Sequence, residues 1–260
     1  MKTIISAHNE QLKHLAKLLT QSKTRLQHRQ AVLEGVHLLQ TYLQSGALPE
    51  QVYLSPTRAA HPEAAELLAQ LPPEKITLVE GEALAKITSL TEADDVMSLI
   101  ALPEAKPLPQ SGDCVVLAGV QDPGNAGTII RSAAAAGVKQ MIVGSGSVDI
   151  WSPKVLRASM GAVFLAEIHT RADIADWLCS YRDTVWATAL REQHQVSLYQ
   201  ADLRVPSAWI FGNEGSGIAP EILAKVPFAV RIPMAEGTES LNVAMAATVC
   251  LFEQMRQRLQ

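Results

Sequence analysis

The chain has 260 residues, is 48% apolar and 18% charged, and carries a formal net charge of −4. That apolar share is enough for a core and excludes a disordered chain. No apolar run approaches the roughly 18 residues that cross a bilayer, and the length fits one large domain or two modest ones. Net acidity argues against a nucleic-acid partner, yet the charge is uneven. Residues 1–30 hold six basic side chains against Glu10 alone, and residues 38–110 hold ten acidic ones against Arg58, Lys75, Lys86 and Lys106. A basic arm on an acidic protein is either a solvated helix face or an electrostatic footprint for phosphate.

In chain order, the N-terminus turns polar by Ser6 and His8, too early for a secretory signal. Leucines at 12, 15, 18 and 19 predict an amphipathic helix over Asn9–Leu19 with Asn9 as N-cap. Then follow a strand at Ala31–Glu34, a helix at Val36–Gln44, a strand at Gln51–Leu54, a helix at Pro62–Gln70, a strand at Ile76–Val79, a helix at Glu82–Lys86 and a strand at Val96–Leu102. This alternation reads as a small α/β domain. Pro103, Pro107, Pro109 and Gly112 mark a linker, which divides the chain into 1–103, a connection at 104–112, and 113–260.

Beyond the linker, strands are expected at Cys114–Ala118, Gln140–Val143, Val163–Ile168, Thr184–Thr188, Ala208–Phe211 and Ala229–Ile232. Helices are expected at Gly127–Ala136, Pro153–Ser159, Ile174–Tyr181, Ala219–Lys225 and Leu241–Arg258. Continuous apolar strands alternating with helices predict a parallel sheet covered on both faces. Cys114, Cys179 and Cys250 form no CxxC pair and lie in apolar stretches, so they read as buried free thiols of a reducing compartment.

Familiar site motifs fail. Gly119–Gly124 has P-loop spacing, but Asn125 and Ala126 stand where lysine and a hydroxyl residue are required. Gly144-Ser145-Gly146 does not extend to GxGxxG, and neither GxSxG nor HExxH is present. The histidines are unpaired with cysteine, so no metal site is expected. Three blocks remain: Gln121–Ala133, Phe211–Gly217, and Ile232–Met234 followed by Ser240–Val243. Two of them are glycine-bearing turns at the ends of short apolar strands, where bare backbone can approach a ligand. In the first block, Asn125 and Arg131 are six residues apart, about 600° on a helix, so they diverge unless Asn125 lies in the loop. Ser240 reads as N-cap of the last helix.

Together the blocks resemble the SpoU (TrmH-type) RNA ribose 2′-O-methyltransferases of the SPOUT superfamily. The resemblance rests on NxGTIxR at Asn125–Arg131, Ser152-Pro153-Lys154 with Arg157–Gly161, FGNEGxG at Phe211–Gly217 and IPM with SLNV at Ile232–Val243. It implies an α/β fold whose C-terminal domain is a trefoil-knotted unit with a parallel sheet. Arg29–His37 looks like the family's small N-terminal α/β substrate-binding module, similar to a ribosomal protein of the L30e kind. The resemblance further implies S-adenosylmethionine as cofactor, held by backbone at Gly212, Ile232 and Leu241. Catalytic work would fall to Asn125, Arg131, Glu214, Ser240 and Asn242, with Asn125 and Asn242 orienting Arg131 and Glu214 fixing Arg131 or a loop. RNA phosphates would meet Lys23, Arg25, Arg29, Lys154 and Arg157. It also implies a cytoplasmic homodimer acting on RNA, ribosomal rather than transfer RNA. A tRNA 2′-O-methyltransferase and a catalytically idle RNA-binding or ribosome-assembly protein of the same fold stay open at this point.

Overall fold

The computed structural model describes residues 2–6, 8–88, 96–189, 195–238 and 240–259. They form two compact units. One comprises the chain up to Glu104 together with Trp151–Phe164, and the other comprises Ala105–Ile150 and the chain from Leu165 onward.

The first unit contains β1 (Lys2–Ile4), α1 (Glu10–Thr20), α2 (Ser22–His28), β2 (Gln30–Glu34), α3 (Val36–Gln44), β3 (Gln51–Leu54), α4 (Pro56–Ala59), α5 (Pro62–Leu68), β4 (Ile76–Val79), α6 (Gly81–Ala85) and β5 (Val96–Ala101). Its sheet has the order β1-β4-β3-β5-β2, with β5 antiparallel to both of its neighbours. Strand alternation divides the core. Tyr53 faces the α1 leucines, whereas Val52 and Leu54 pack with α3 and α5 through Val36, Leu39, Ala64 and Leu67. Leu12, Leu15, Leu18 and Leu19 are all buried, and Asn9 Oδ1 accepts the Gln11 N–H at the helix start.

The second unit contains β6 (Cys114–Ala118), α7 (Pro123–Ala135) and β7 (Gln140–Gly144). The chain then gives α8 (Pro153–Ser159) to the first unit and returns as β8 (Glu167–Ala172), α9 (Ile174–Trp177), β9 (Thr184–Thr188), β10 (Gln195–Ser197), β11 (Ser207–Gly212), α10 (Pro220–Leu223), β12 (Phe228–Arg231) and α11 (Val243–Arg258). The sheet order is β10-β12-β9-β11-β6-β7-β8, and every pairing described in it is parallel. On one face, Val116, Ile142, Ala187 and Ile210 pack with Ile174, Trp177 and Ile218 around α9 and α10. On the other, α11 lies against α7 and β11: Ser132 and Thr248 share a hydrogen bond of 2.7 Å, and Trp209 donates its indole N–H to Gln254. This is the expected class, α/β with a parallel C-terminal sheet and a smaller α/β unit before it.

The differences from the sequence reading concentrate at edges. β1 and β10 were not expected, and β8 replaces the strand expected at Val163–Ile168, where a 3-10 turn spans Ala162–Leu165. All three are edge strands, which bury too little to need an apolar pattern. α2 also lacks that pattern, since its one leucine, Leu26, is exposed. Cys114 and Cys250 are buried, with burial raising both thiol pKa values, the first to about 12. Cys179 corrects the expectation: it is exposed, and Lys225 Nζ donates to its Sγ at 3.1 Å. Among the described residues no helix is long and apolar enough to cross a membrane, and no acid, histidine and cysteine cluster could hold a metal.

Candidate active site

Parallel strands all deliver their following loops to the carboxyl end of the sheet, where open α/β folds bind ligands. The three sequence blocks therefore converge there. The loop after β6 carries the first block, the loop after β11 the second, and the segment between β12 and α11 the third.

Glu214 is the knot of polar contacts. Its carboxylate accepts the backbone N–H of Gln121 (3.2 Å) and of Asp122 (3.1 Å), and the Asn125 amide N–H (3.0 Å). The Asn242 amide then donates to Asn125 Oδ1 (2.9 Å), while Asn242 Oδ1 caps α11 by accepting the N–H of Ala244 and Met245. One chain of hydrogen bonds thus joins all three blocks. Desolvation acts to raise the Glu214 pKa, but the bonds from Asn125 and from backbone N–H groups outweigh it and hold the carboxyl below its ordinary value.

Two expectations are corrected here. Asn125 lies inside the first turn of α7 rather than in the loop, because Pro123 starts the helix early and Asp122 caps it at the Asn125 N–H (2.7 Å). Asn242, not Ser240, caps α11, so the helix begins at Val243. Because Asn125 is helical, its side chain and that of Arg131 diverge by about 120°. Glu214 accordingly fixes a loop and the start of α7, and Asn125 and Asn242 bind each other rather than Arg131. Arg131 is exposed and has no hydrogen-bond or ionic partner among the described residues. Ser240 is also exposed, and Glu239 beside it lies outside the described residues.

Gly212 ends β11 in a fully buried position. A Cβ there would come within 2.5–2.6 Å of the backbone of Gly217 and Ile218, so its glycine serves the curl of its own loop. Asn213, which the sequence reading left without a role, holds that curl. Its Oδ1 accepts the N–H of Gly215 (3.0 Å) and Ser216 (2.9 Å), and its Nδ2 donates to Gly119 O (2.9 Å). The asparagine two residues ahead of a glycine was the available signal. Ile232 follows β12 and is half-buried, and Leu241 is 41% exposed. β9 runs between β11 and β12, so Thr188, paired with Val230 and donating to Ile210 O (3.1 Å), ends between Gly212 and Ile232. Gly212, Thr188 and Ile232 thus mark three adjacent strand ends at the carboxyl edge of the sheet.

The phosphate candidates part company. Lys23 and Lys154 are exposed. Arg29, in the left-handed region at φ 51°, is exposed and donates to Pro103 O at 2.8 Å. Arg25 is a correction: it is 5% exposed, and its guanidinium binds the carbonyls of Leu18 and Leu19 at the end of α1, where a cation complements the helix terminus. Arg157 is half-buried, and its Nη1 is 2.5 Å from the buried Glu34 carboxylate, within the first unit.

Known proteins share this architecture. Residues 9–98 match the MRM3-like substrate binding domain, and residues 113–252 match the SpoU rRNA Methylase family. An uncharacterised tRNA/rRNA methyltransferase of Synechocystis is 35% identical over 98% of this chain and 94% of its own. The 23S rRNA (guanosine-2′-O)-methyltransferase RlmP of Bacillus subtilis is 31% identical over 97% and 98%. A solved rRNA methyltransferase of Sinorhizobium meliloti with bound S-adenosylmethionine superposes with a TM-score of 0.85 at 29% identity, covering 100% of this chain and 99% of that one. With its three sequence blocks on one hydrogen-bonded network and its architecture matched from end to end, the chain belongs to the SpoU rRNA methylase family.

Proposed function

We propose that the protein methylates a ribose 2′-hydroxyl of ribosomal RNA, as a cytoplasmic homodimer with the knotted SPOUT architecture of its family. The observation that carries the reading is the Glu214–Asn125–Asn242 chain of hydrogen bonds, which locks three separate segments around one end of the sheet. S-adenosylmethionine supplies an electrophilic methyl group on a sulfonium. Gly212, Ile232 and Leu241 would hold its adenine. Thr188 lies between them.

The 2′-hydroxyl is a weak acid, so the chain must align it and ease the loss of its proton. From its exposed position Arg131 binds the RNA phosphate and stabilises charge developing on the oxygen. Glu214 holds the two asparagine amides in one orientation, so that the loop geometry exists before RNA arrives. Ser240 positions the nucleotide. Lys23, Arg29 and Lys154 add phosphate contacts that set register rather than sequence. The dimer is assigned to the outer face of α11. Ala244 and Leu251 are buried and Thr248 bonds α7, whereas Met245 and Phe252 remain 52% and 44% exposed.

The test is to incubate the protein with labelled S-adenosylmethionine and ribosomal RNA from cells lacking it, digest the product and analyse nucleosides by mass spectrometry. Label on a ribose oxygen is expected. Label on a base carbon or nitrogen would contradict the reading.

A further inference from the structure

A cavity of about 390 Å³ opens at the carboxyl ends of β6, β7 and β8, on the side of α9 and α10. Its walls include Gly119, Gly144 and Gly146 as bare backbone, Ile174 and Ile222 as apolar surface, and Arg171, Asp173 and Glu221 as charged groups. None of the roles assigned above uses it. Three features mark it as built. The register between β7 and β8 passes from Val143–Thr170 directly to Gly144–Ala172, so Arg171 is the extra residue of a β-bulge. Arg171 also sits at φ 60°, a left-handed conformation that arginine seldom takes, and bulges and strained residues of this kind re-aim side chains at functional sites. Arg171 and Glu221 have no hydrogen-bond or ionic partner among the described residues, whereas Asp173 spends one oxygen capping α9.

The cavity shares a wall with the Glu214 network. Gly119 lines it, and the Gly119 carbonyl holds Asn213, the residue before Glu214. Along the row of strand ends, Gly212 and Ile232 lie over β11 and β12, the network lies over β11 and β6, and the cavity over β6 to β8. The two therefore share the end of β6, and neighbouring strands are only about 4.8 Å apart. A nucleotide whose ribose lies at the network would have its base within reach of the cavity.

We propose that this cavity receives the base of the target nucleotide, splayed out of its stack, and that it selects guanine. The proposal rests on the ribose-methylation reading above. Guanine alone among the RNA bases offers two adjacent acceptors, O6 and N7, to a guanidinium and two adjacent donors, N1–H and the exocyclic amine, to a carboxylate. Arg171 takes the first edge and Glu221 the second, with the apolar side chains of Ile174 and Ile222 against the ring.

The test uses the full chain, ribosomal RNA from cells lacking it, and labelled cofactor. Label is expected in 2′-O-methylguanosine. Arg171→Gly and Glu221→Gln should each lower kcat/KM about tenfold or more with cofactor Kd within about twofold, the size of one lost base contact. Arg171→Gly should not lower the melting temperature, since glycine takes this backbone freely, and a merely structural arginine would not behave so. Guanosine 5′-monophosphate at millimolar concentration should inhibit the wild type more than adenosine 5′-monophosphate does, and Glu221→Gln should narrow the difference. Label in another 2′-O-methylnucleoside, or unchanged kcat/KM in both variants, overturns the guanine pocket and leaves ribose methylation standing. Label on a base, or none at all, overturns both.

Discussion

The two units treat their polar residues differently. At the carboxyl end of the C-terminal sheet, short side chains do the bonding: Glu214, Asn125, Asn242 and Asn213 each reach backbone or one another within 3.3 Å, and Arg131 is left exposed. In the first unit, long cations that read as an RNA surface divide. Lys23 remains exposed, whereas Arg25 and Arg157 are drawn into the fold by carbonyls at a helix end and by a buried glutamate. A short polar side chain near a turn has few possible partners, and its neighbours in sequence name most of them. An arginine can reach partners from any element that packs nearby, so sequence alone does not say whether it faces solvent.

Arg131→Ala sharpens this contrast most. Turnover should fall by roughly 10² to 10³ or more, as for loss of one charge-stabilising donor, with cofactor affinity within a few fold. Single-turnover kinetics beside calorimetry measure both, and a matching loss of cofactor affinity would place Arg131 on the wrong side of the site.

Next in size is the pair Arg25→Ala and Lys23→Ala. The first should lower unfolding stability by about 2–3 kcal/mol, through unsatisfied carbonyls and lost packing. The second should stay within about 0.5 kcal/mol while weakening RNA binding. Urea melts and filter binding separate them, and an Arg25→Ala protein of normal stability with poor RNA affinity would reverse the assignment.

Gly212→Ala comes third. Its methyl meets backbone at 2.5 Å, so the loop must shift, at a cost of about 1–3 kcal/mol. Cofactor affinity should fall with the melting temperature, and an unchanged cofactor Kd would remove Gly212 from the pocket.

The smallest effect is that of pH. Glu214 is held below its ordinary pKa, so its contribution is complete above the carboxylate range and is lost as pH falls through its lowered value. Cofactor affinity should therefore be flat from neutral pH down to that range and weaken below it, and Glu214→Gln should flatten this acid limb. An acid limb unchanged by that substitution would assign it to another group.

The central strands were legible because burial on both faces forces continuous apolar runs, as at Cys114–Ala118 and Ala208–Phe211. The candidate site was legible as three blocks of residue types, but neither its wiring nor its cavity was. The helical placement of Asn125 depends on Pro123 and Asp122 starting α7 early, and the capping role of Asn242 depends on where α11 meets α7. Arg171 carried no signal at all, because a bulge exists only relative to the strand beside it.

By itself, then, the sequence determined the elements whose apolar period is enforced by a core, the linker composition between Pro103 and Gly112, and the chemical inventory of the strand-end loops. Tertiary structure decided which edge strands formed, which arginines were consumed, and which polar atoms met across 89 and 117 residues of chain. The physical reason is range. Propensity and periodicity act over one or two turns, while hydrogen bonds between distant loops are specified only once the sheet has brought its carboxyl ends together.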